Sequence, residues 1–396
     1  MRRCPNLCSM KISSYHKSLG DEVVLKLDYN GLESFDKIYI SKVFVKTEIP
    51  EEPCDKSRKN EANIIEYYKE NKFLKNPKII YGGTGFFYDK SPPLPFEMEH
   101  FMPDYHLYDE WVDEAIKNGA KRSEFVYYLD YSIGFLTRKC FRRCYYCVNR
   151  NFNGVEIASP LEEFMDKERP KLCFLDDNFF GCPKWRELIK PVLESGKRFQ
   201  FKQGLDERLL TEEKIKELSK WKYDGEVIFA FDNIEDKDLI ISKLELIKRV
   251  APDWKRELKF YVFCGCDKTG VYDYSFFERD IKDLFERIFI LSKYKAKPYI
   301  MRFEKIYDTE FSSFYAAVAA WCNQPSMFKS FTFRLFCQCR GMRKNGYKMY
   351  KRDIEAYLRN IGKKGSEWSS MEMVEDIFPQ IANQYFDFVG GDIYEK

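Results

Sequence analysis

No run of apolar residues approaches the roughly 18 that a membrane span needs, and the opening Met1-Arg-Arg-Cys-Pro-Asn6 holds no apolar core of signal-peptide length. Neither residence in a membrane nor export is expected, and a cytoplasmic location is. Charge of one sign is also lacking. The 66 Lys and Arg are nearly matched by 63 Asp and Glu, for a net charge of +3. The chain as a whole therefore has no electrostatic reason to bind nucleic acid or an anionic lipid surface, and any basic site must be local. Internal repeats and low-complexity segments are absent as well.

What is there is a large supply of apolar and aromatic side chains. Of 396 residues 44% are hydrophobic, with 35 Phe and 27 Tyr, which predicts a folded, aromatic-rich interior. The length suits two or three domains, or one barrel with additions.

Up to about residue 120, α and β patterns alternate: a helix at Met10 to Leu19, a strand at Lys37 to Phe44, a helix at Ala62 to Asn71 and a strand at Lys78 to Tyr81. The alternation predicts a small doubly wound, Rossmann-like domain over 1–120. Ser91-Pro-Pro-Leu-Pro95 and Met102-Pro-Asp104 then break regular structure, so 86–106 reads as a linker. Over 121–309, short apolar strands alternate with amphipathic helices: Val126 to Phe135, Leu172 to Leu175, Phe199 to Lys202, Val227 to Phe231, Phe260 to Phe263 and Tyr299 to Phe303. Six such units predict a parallel sheet, open or curled into a partial barrel, with reactive groups at the carboxyl ends of its strands. From 310 to 396 the pattern is helical, basic and aromatic.

Thirteen cysteines are present, and in a reducing compartment short spacings point to metal ligation or catalysis before disulfides. Cys140-Phe-Arg-Arg-Cys144-Tyr-Tyr-Cys147 places three thiols within eight residues, just after the first strand of the series. A loop this compact can turn three thiolates onto one iron–sulfur cluster and leave one iron without a protein ligand. A structural zinc ion would want a fourth ligand. No His lies nearer in sequence than His106, so Cys173 or Cys182 would have to supply it. Plain packing of the three thiols is the third reading.

The spacing C-x3-C-x2-C, with Tyr146 before the last Cys, resembles the signature loop of the radical S-adenosylmethionine (radical SAM) superfamily. Lys78-Ile-Ile-Tyr-Gly-Gly-Thr-Gly85, Met102-Pro-Asp-Tyr-His106, Phe174-Leu-Asp-Asp-Asn178, Gln203-Gly-Leu-Asp-Glu-Arg208 and Phe229-Ala-Phe-Asp-Asn233 are similar to segments of a subgroup whose barrel follows a cobalamin-binding-like domain. The resemblance covers most of residues 5–305. It implies a cobalamin-binding-like domain over 1–120, lacking its usual first strand because only Met1 to Cys4 precede Pro5. A partial (β/α)6 TIM-type barrel over 121–309 and a helical basic region over 310–396 would follow. Cys140, Cys144 and Cys147 would hold a [4Fe-4S] cluster whose open iron chelates SAM. Reductive cleavage would give a 5'-deoxyadenosyl radical that abstracts a substrate hydrogen. No further catalytic residue is implied.

The positions just past the strands then become candidates for SAM. Tyr146 is assigned to adenine, mainly through its backbone, Asp176 and Asp177 to the methionine amine, and Gln203 and Asp232 to the ribose or the substrate, with Asp206 beside them. Each acidic residue has a plainer reading as a helix N-cap, and Tyr146 as packing. Arg138, Lys139, Arg142, Arg143 and Arg150 crowd the cysteine loop, where cations favour thiolates and a basic rim could dock an acidic electron donor such as flavodoxin or ferredoxin; a solvated basic loop is the plain alternative. Cys264, Cys266, Cys322, Cys337 and Cys339 could supply a second cluster or simply pack. The Asp-x-His-x-x-Gly motif for a lower cobalt ligand is missing, so cobalamin is not expected with a protein ligand to its cobalt; cobalamin without one stays open. Gly82-Gly-Thr-Gly85 could admit a nucleotide tail.

A different class, a zinc-stabilised nucleic-acid-binding protein without catalysis, draws on the basic loop and on Cys337-Gln-Cys-Arg-Gly-Met-Arg-Lys344 through Lys351, where Tyr347 and Tyr350 are interleaved. RNA or a nucleotide, a peptide and a small metabolite all remain open as substrates.

Overall fold

The computed structural model describes residues 4–56, 59, 62–340 and 366–390. They form a mixed α/β structure with parallel sheets, and the chain divides into two compact units, 1–203 and 204–396. No helix of the described residues is long and apolar enough to cross a membrane.

The first unit begins with the helix Leu7–Ser18, capped by Asn6, whose side chain accepts a hydrogen bond from Ser9 N. Its first strands, β1 (Ile38–Ser41) and β2 (Ile79–Gly82), pair in parallel over Tyr67, Tyr68, Ile64 and Phe86. The glycine turn after β2 closes against the end of β1: Gly85 N donates to Lys42 O at 2.9 Å, and a Cβ on Gly83, whose φ is 104°, would lie 2.3 Å from that same oxygen. Backbone packing thus requires Gly83.

Next come β3 (Tyr131–Gly134), β4 (Thr137–Arg138), β5 (Glu156–Ile157), β6 (Lys171–Phe174) and β7 (Arg198–Phe201). β3, β6 and β7 form a parallel sheet in that order, and β4 pairs antiparallel with β5. Side chains alternate between the two faces of such a strand. Leu172, Phe174, Phe199 and Phe201 fill one face, fully buried, with Phe174 against Phe164 and Phe179 against Phe201. The other face carries Tyr131, Ile133, Cys173 and Gln200. Gly134 ends β3 because Phe164 lies over it: any Cβ there would stand 2.3 Å from the ring.

The strand expected from Val126 is shorter than its apolar pattern suggested. Val126–Leu129 is a helical turn, since Tyr128 turns toward Tyr108, Trp111 and Phe125. The buried Arg169 guanidinium then donates to the carbonyls of Tyr128, Tyr131 and Tyr105 and fixes where β3 starts.

The second unit contains β8 (Val227–Ala230), β9 (Leu258–Cys264) and β10 (Lys297–Arg302), parallel in that order. Between them in sequence run the helices Lys237–Val250 and Tyr274–Lys293. The six expected strands are thus all present, grouped by their pairing as two three-stranded sheets. Beyond β10 the described residues are helical, over Ser312–Cys322, Pro325–Ser330, Phe333–Arg340, Ser366–Ile377 and Pro379–Tyr385. They cover the long helix through Phe285, whose ring meets Phe314, Trp321, Phe333 and Phe386. The basic stretch from Gly341 through Lys351 and the side chain of Cys339 lie outside the described residues.

Candidate metal centre

The cysteine loop leaves the sheet at the carboxyl end of β3 and is closed at its neck by the β4–β5 ribbon, where Thr137 faces Ile157 and Arg138 faces Glu156. Ala158 N also donates to Leu136 O at 2.9 Å. Between these paired residues run Cys140, Cys144 and Cys147, all half-buried. Lys139 and Arg143 take left-handed backbone angles, φ 69° and 52°, which turn the loop back on itself. Cys147 N donates to Cys144 O at 2.9 Å.

Three hydrogen bonds are aimed at sulfur. Arg142 N and Asn178 Nδ2 donate to Cys140 Sγ, and Asn149 N donates to Cys147 Sγ, each at 3.4 Å. Such donors favour thiolate over thiol. Burial works against them and pushes the Cys147 thiol up to about 11, with Cys144, Asp177 and Cys140 adding to the rise through charge. Cys144 and Cys140 thus both bear on the Cys147 thiol, whose thiolate a cation in their midst would favour. That donor set is chemically one for a thiolate-held metal group. Among the described residues no three His, Cys, Asp or Glu converge on one point as the ligands of a single ion would.

Three of the basic residues at the loop stand in ion pairs. Arg138 pairs with Glu99 at 2.9 Å, Lys139 with Glu156 at 2.7 Å and Arg150 with Asp89 at 2.7 Å. Each is thus shared with a neighbouring carboxylate. Arg143 is exposed.

Asp176 and Asp177 follow β6 and hold the same loop. Asp176 is fully buried and accepts from Leu136 N (3.1 Å), Thr137 N (2.7 Å) and Thr137 Oγ1 (2.7 Å). Burial raises its carboxyl to about 7 against the pull of those donors. Asp177, half-buried, accepts from Lys139 N at 2.8 Å and from the Asn149 side chain. Asn178 caps the following turn through Gly181 N at 3.2 Å and reaches Cys140 with its amide. Three consecutive residues at the end of one strand thus brace the loop that leaves its neighbour. Tyr146 offers its carbonyl to Tyr88 OH at 2.8 Å, and Gln203 is exposed just past β7.

In the second unit carboxyl groups also gather at the strand ends. Asp232 accepts from Phe263 N at 3.0 Å, and Asp280 accepts from Gly265 N at 3.0 Å and from Tyr315 OH. Asp206 holds Arg208 at 2.8 Å. Glu207 accepts from Ala230 N at 3.2 Å with one oxygen, while the other is buried without a hydrogen-bond partner. Burial, with Asp206 beside it, raises Glu207 to about 8. The unfolded chain ionises this group near pH 4.5, so folding stability falls as pH rises from about 4 to about 8 and is flat above that. Glu207→Gln is expected to remove this fall, a gain of at most roughly 5 kcal/mol at pH 9 and almost none at pH 4. Urea midpoints at the two pH values check it, and an equal effect at both would refute the assignment.

Of the residues singled out in the sequence, Cys140, Cys144, Cys147, Tyr146, Asp176 and Asp177 are gathered on one loop and its brace. Asp232 and Asp206 stand at strand ends of the second unit. Asn149, Thr137 and the sulfur contact of Asn178 were not singled out; the only signal for Asn149 is its place two residues after a ligand candidate. Cys264, Cys322 and Cys337 are buried and Cys266 half-buried, and burial pushes the thiols of Cys264 and Cys322 well up. Cys54 is exposed and Cys8 half-buried.

No protein-family model matches the chain, and no curated protein sequence matches it significantly.

Proposed function

We propose that the chain is a radical SAM enzyme in which Cys140, Cys144 and Cys147 hold a [4Fe-4S] cluster. The observation that carries this reading is the loop itself: three thiols in a C-x3-C-x2-C spacing, past a parallel strand, closed by a ribbon and met at Cys140 by an amide from the end of the next strand. The reading counts the six strands from Tyr131 to Arg302 as a partial barrel behind a cobalamin-binding-like domain. With cluster and SAM bound, the chemistry supplied would be reductive cleavage to methionine and a 5'-deoxyadenosyl radical that takes a hydrogen from substrate.

The residues of the chain do the positioning. Asp176 fixes the 136–137 backbone, and so the direction in which the loop departs. Asp177 holds Lys139 and Asn149 at the two arms of the loop, and Asp176 and Asp177 are together assigned to the methionine amine, Asp177 being the one that is only half-buried. Gln203 and Asp232 are assigned to ribose or substrate, and Tyr146 to adenine. Arg143, exposed in the loop, suits an acidic electron donor of the flavodoxin or ferredoxin kind. The substrate class stays among RNA or nucleotide, peptide and small metabolite.

The test is anaerobic reconstitution with iron and sulfide, then dithionite and SAM. Brown protein that releases 5'-deoxyadenosine is expected. Colourless protein that retains zinc would overturn the reading in favour of a zinc-stabilised binding protein, and S-adenosylhomocysteine as the sole product would replace it with methyl transfer.

A further inference from the structure

The second half of the cysteine loop is gripped by the segment that follows β2. Tyr88–Lys90 is a single helical turn, and its first two residues both reach the loop. Tyr88 OH donates to Tyr146 O at 2.8 Å. Asp89 accepts from Arg150 Nε at 2.7 Å and from Asn151 Nδ2 at 3.0 Å, and Arg150 Nη1 passes the hold on by donating to Tyr145 O at 2.9 Å. The Arg150 guanidinium lies 5.2 Å from the centre of the Tyr88 ring, so the two contacts form one unit. Beside them Val148 packs on the buried cluster that includes Ile38, Ile79, Tyr68, Phe86 and Tyr88.

A peptide group is planar, so holding its carbonyl also sets its N–H. Fixing the carbonyls of Tyr145 and Tyr146 therefore fixes both peptides that flank the Tyr146 Cα. The second of them carries the N–H of Cys147, which donates to Cys144 O. The first half of the loop is held from elsewhere, by Asp176 and Asp177 at the end of β6. The grip on the second half is strained. Tyr88 takes φ 49°, a left-handed angle that a bulky side chain avoids. Strain of this kind persists where the surroundings over-determine a residue, and it gathers at ligand clamps. Here the strained residue is the buried one whose hydroxyl meets Tyr146.

We propose that Tyr88 and Asp89 are positioning residues for the adenine of SAM: acting through the Tyr145 and Tyr146 carbonyls, they preset the backbone against which the nucleoside lies. The naming of SAM rests on the function proposed above; the clamp on residues 145–151 does not. A preset backbone spares binding the ordering it would otherwise have to supply. Loss of the clamp is therefore felt in affinity for the nucleoside and not in cluster content, since the carbonyls it holds are not the groups that ligate.

Initial rates of 5'-deoxyadenosine release against SAM concentration, with iron counted per chain, test the role. Tyr88→Phe keeps the ring and its packing and removes one hydroxyl; KM for SAM is expected to rise about tenfold with kcat and iron content unchanged. Asp89→Ala should act likewise, and Asp89→Asn, which keeps an acceptor for Arg150, should restore most of the affinity. Lys90→Ala, next in the chain and exposed, should match the wild type. Amide hydrogen exchange in the full-length chain without cluster or SAM tests the clamp itself. Tyr88→Phe and Asp89→Ala are expected to speed exchange about tenfold at Cys147 and Arg150, whose N–H groups close the turns of the second half, and to leave Leu136 and Thr137 as they are. An unchanged KM in both variants, or a rise that only follows lost iron, would overturn the positioning role; unchanged exchange at Cys147 and Arg150 would overturn the clamp. If the wild type releases no 5'-deoxyadenosine, the enzyme reading falls and the positioning role with it, while the exchange result still decides the clamp.

Discussion

Replacing any one of Cys140, Cys144 or Cys147 with Ala is expected to abolish the brown colour of the reconstituted protein and its release of 5'-deoxyadenosine together. In the proposed centre these three thiolates would be the ligands of the cluster, so losing any one would weaken its hold and its place for SAM. Among the described residues near the loop no substitute is in place. Asn178, Arg142 and Asn149 are donors toward sulfur and cannot ligate in place of a thiolate. The other nearby candidates, Cys173 and Cys182, are buried, and burial pushes the Cys173 thiol far from ionisation. Cys54→Ala, at an exposed site, is the control and should behave as the wild type. Absorbance near 400 nm and chromatography of the nucleoside check both halves. A Cys→Ala protein that keeps colour and turnover would sink the ligand assignment.

The second large effect is expected at Asp176. Its carboxylate is the sole acceptor shown for the N–H groups of Leu136 and Thr137 and for the Thr137 hydroxyl. Asp176→Ala leaves those buried donors without an acceptor, at a cost of about 3 kcal/mol or more. The damage falls on the residues that begin the cysteine loop, so cluster content after reconstitution should drop along with the urea midpoint. Asp176→Asn keeps one acceptor for Thr137 but sets an NH2 group against Leu136 N, so it should recover only part of both. If Asp176→Ala were as stable as the wild type and yet failed to cleave SAM, the residue would instead contact the cofactor.

The strand series was legible because each strand is a short apolar run between amphipathic helices, and the parallel pairs follow from the same alternation. Val126–Leu129 misled because four aromatic or apolar residues in a row fit a buried strand and a packed helical turn equally well; the deciding groups, Arg169 and Tyr108, are distant in sequence. The grouping of six strands into two sheets is likewise a matter of pairing, which a period-two pattern does not encode. At the site, the cysteines were visible through spacing alone. The work of Asp176 was not, because an Asp after a strand reads alike whether it faces a ligand, caps a helix or binds the neighbouring loop. Tyr88 lies 58 positions from Tyr146 and Asp89 61 from Arg150, and neither pairing shows in a local pattern. The loop arginines and lysines show the converse: their number was plain, and their partners Glu99, Glu156 and Asp89 were not.

The β4–β5 ribbon gives the cysteine loop the form of a drawstring purse. The chain enters and leaves at one place, where Thr137 and Arg138 meet Ile157 and Glu156, and the cord is knotted by Asp176, whose carboxylate accepts from the N–H groups of Leu136 and Thr137 at that neck.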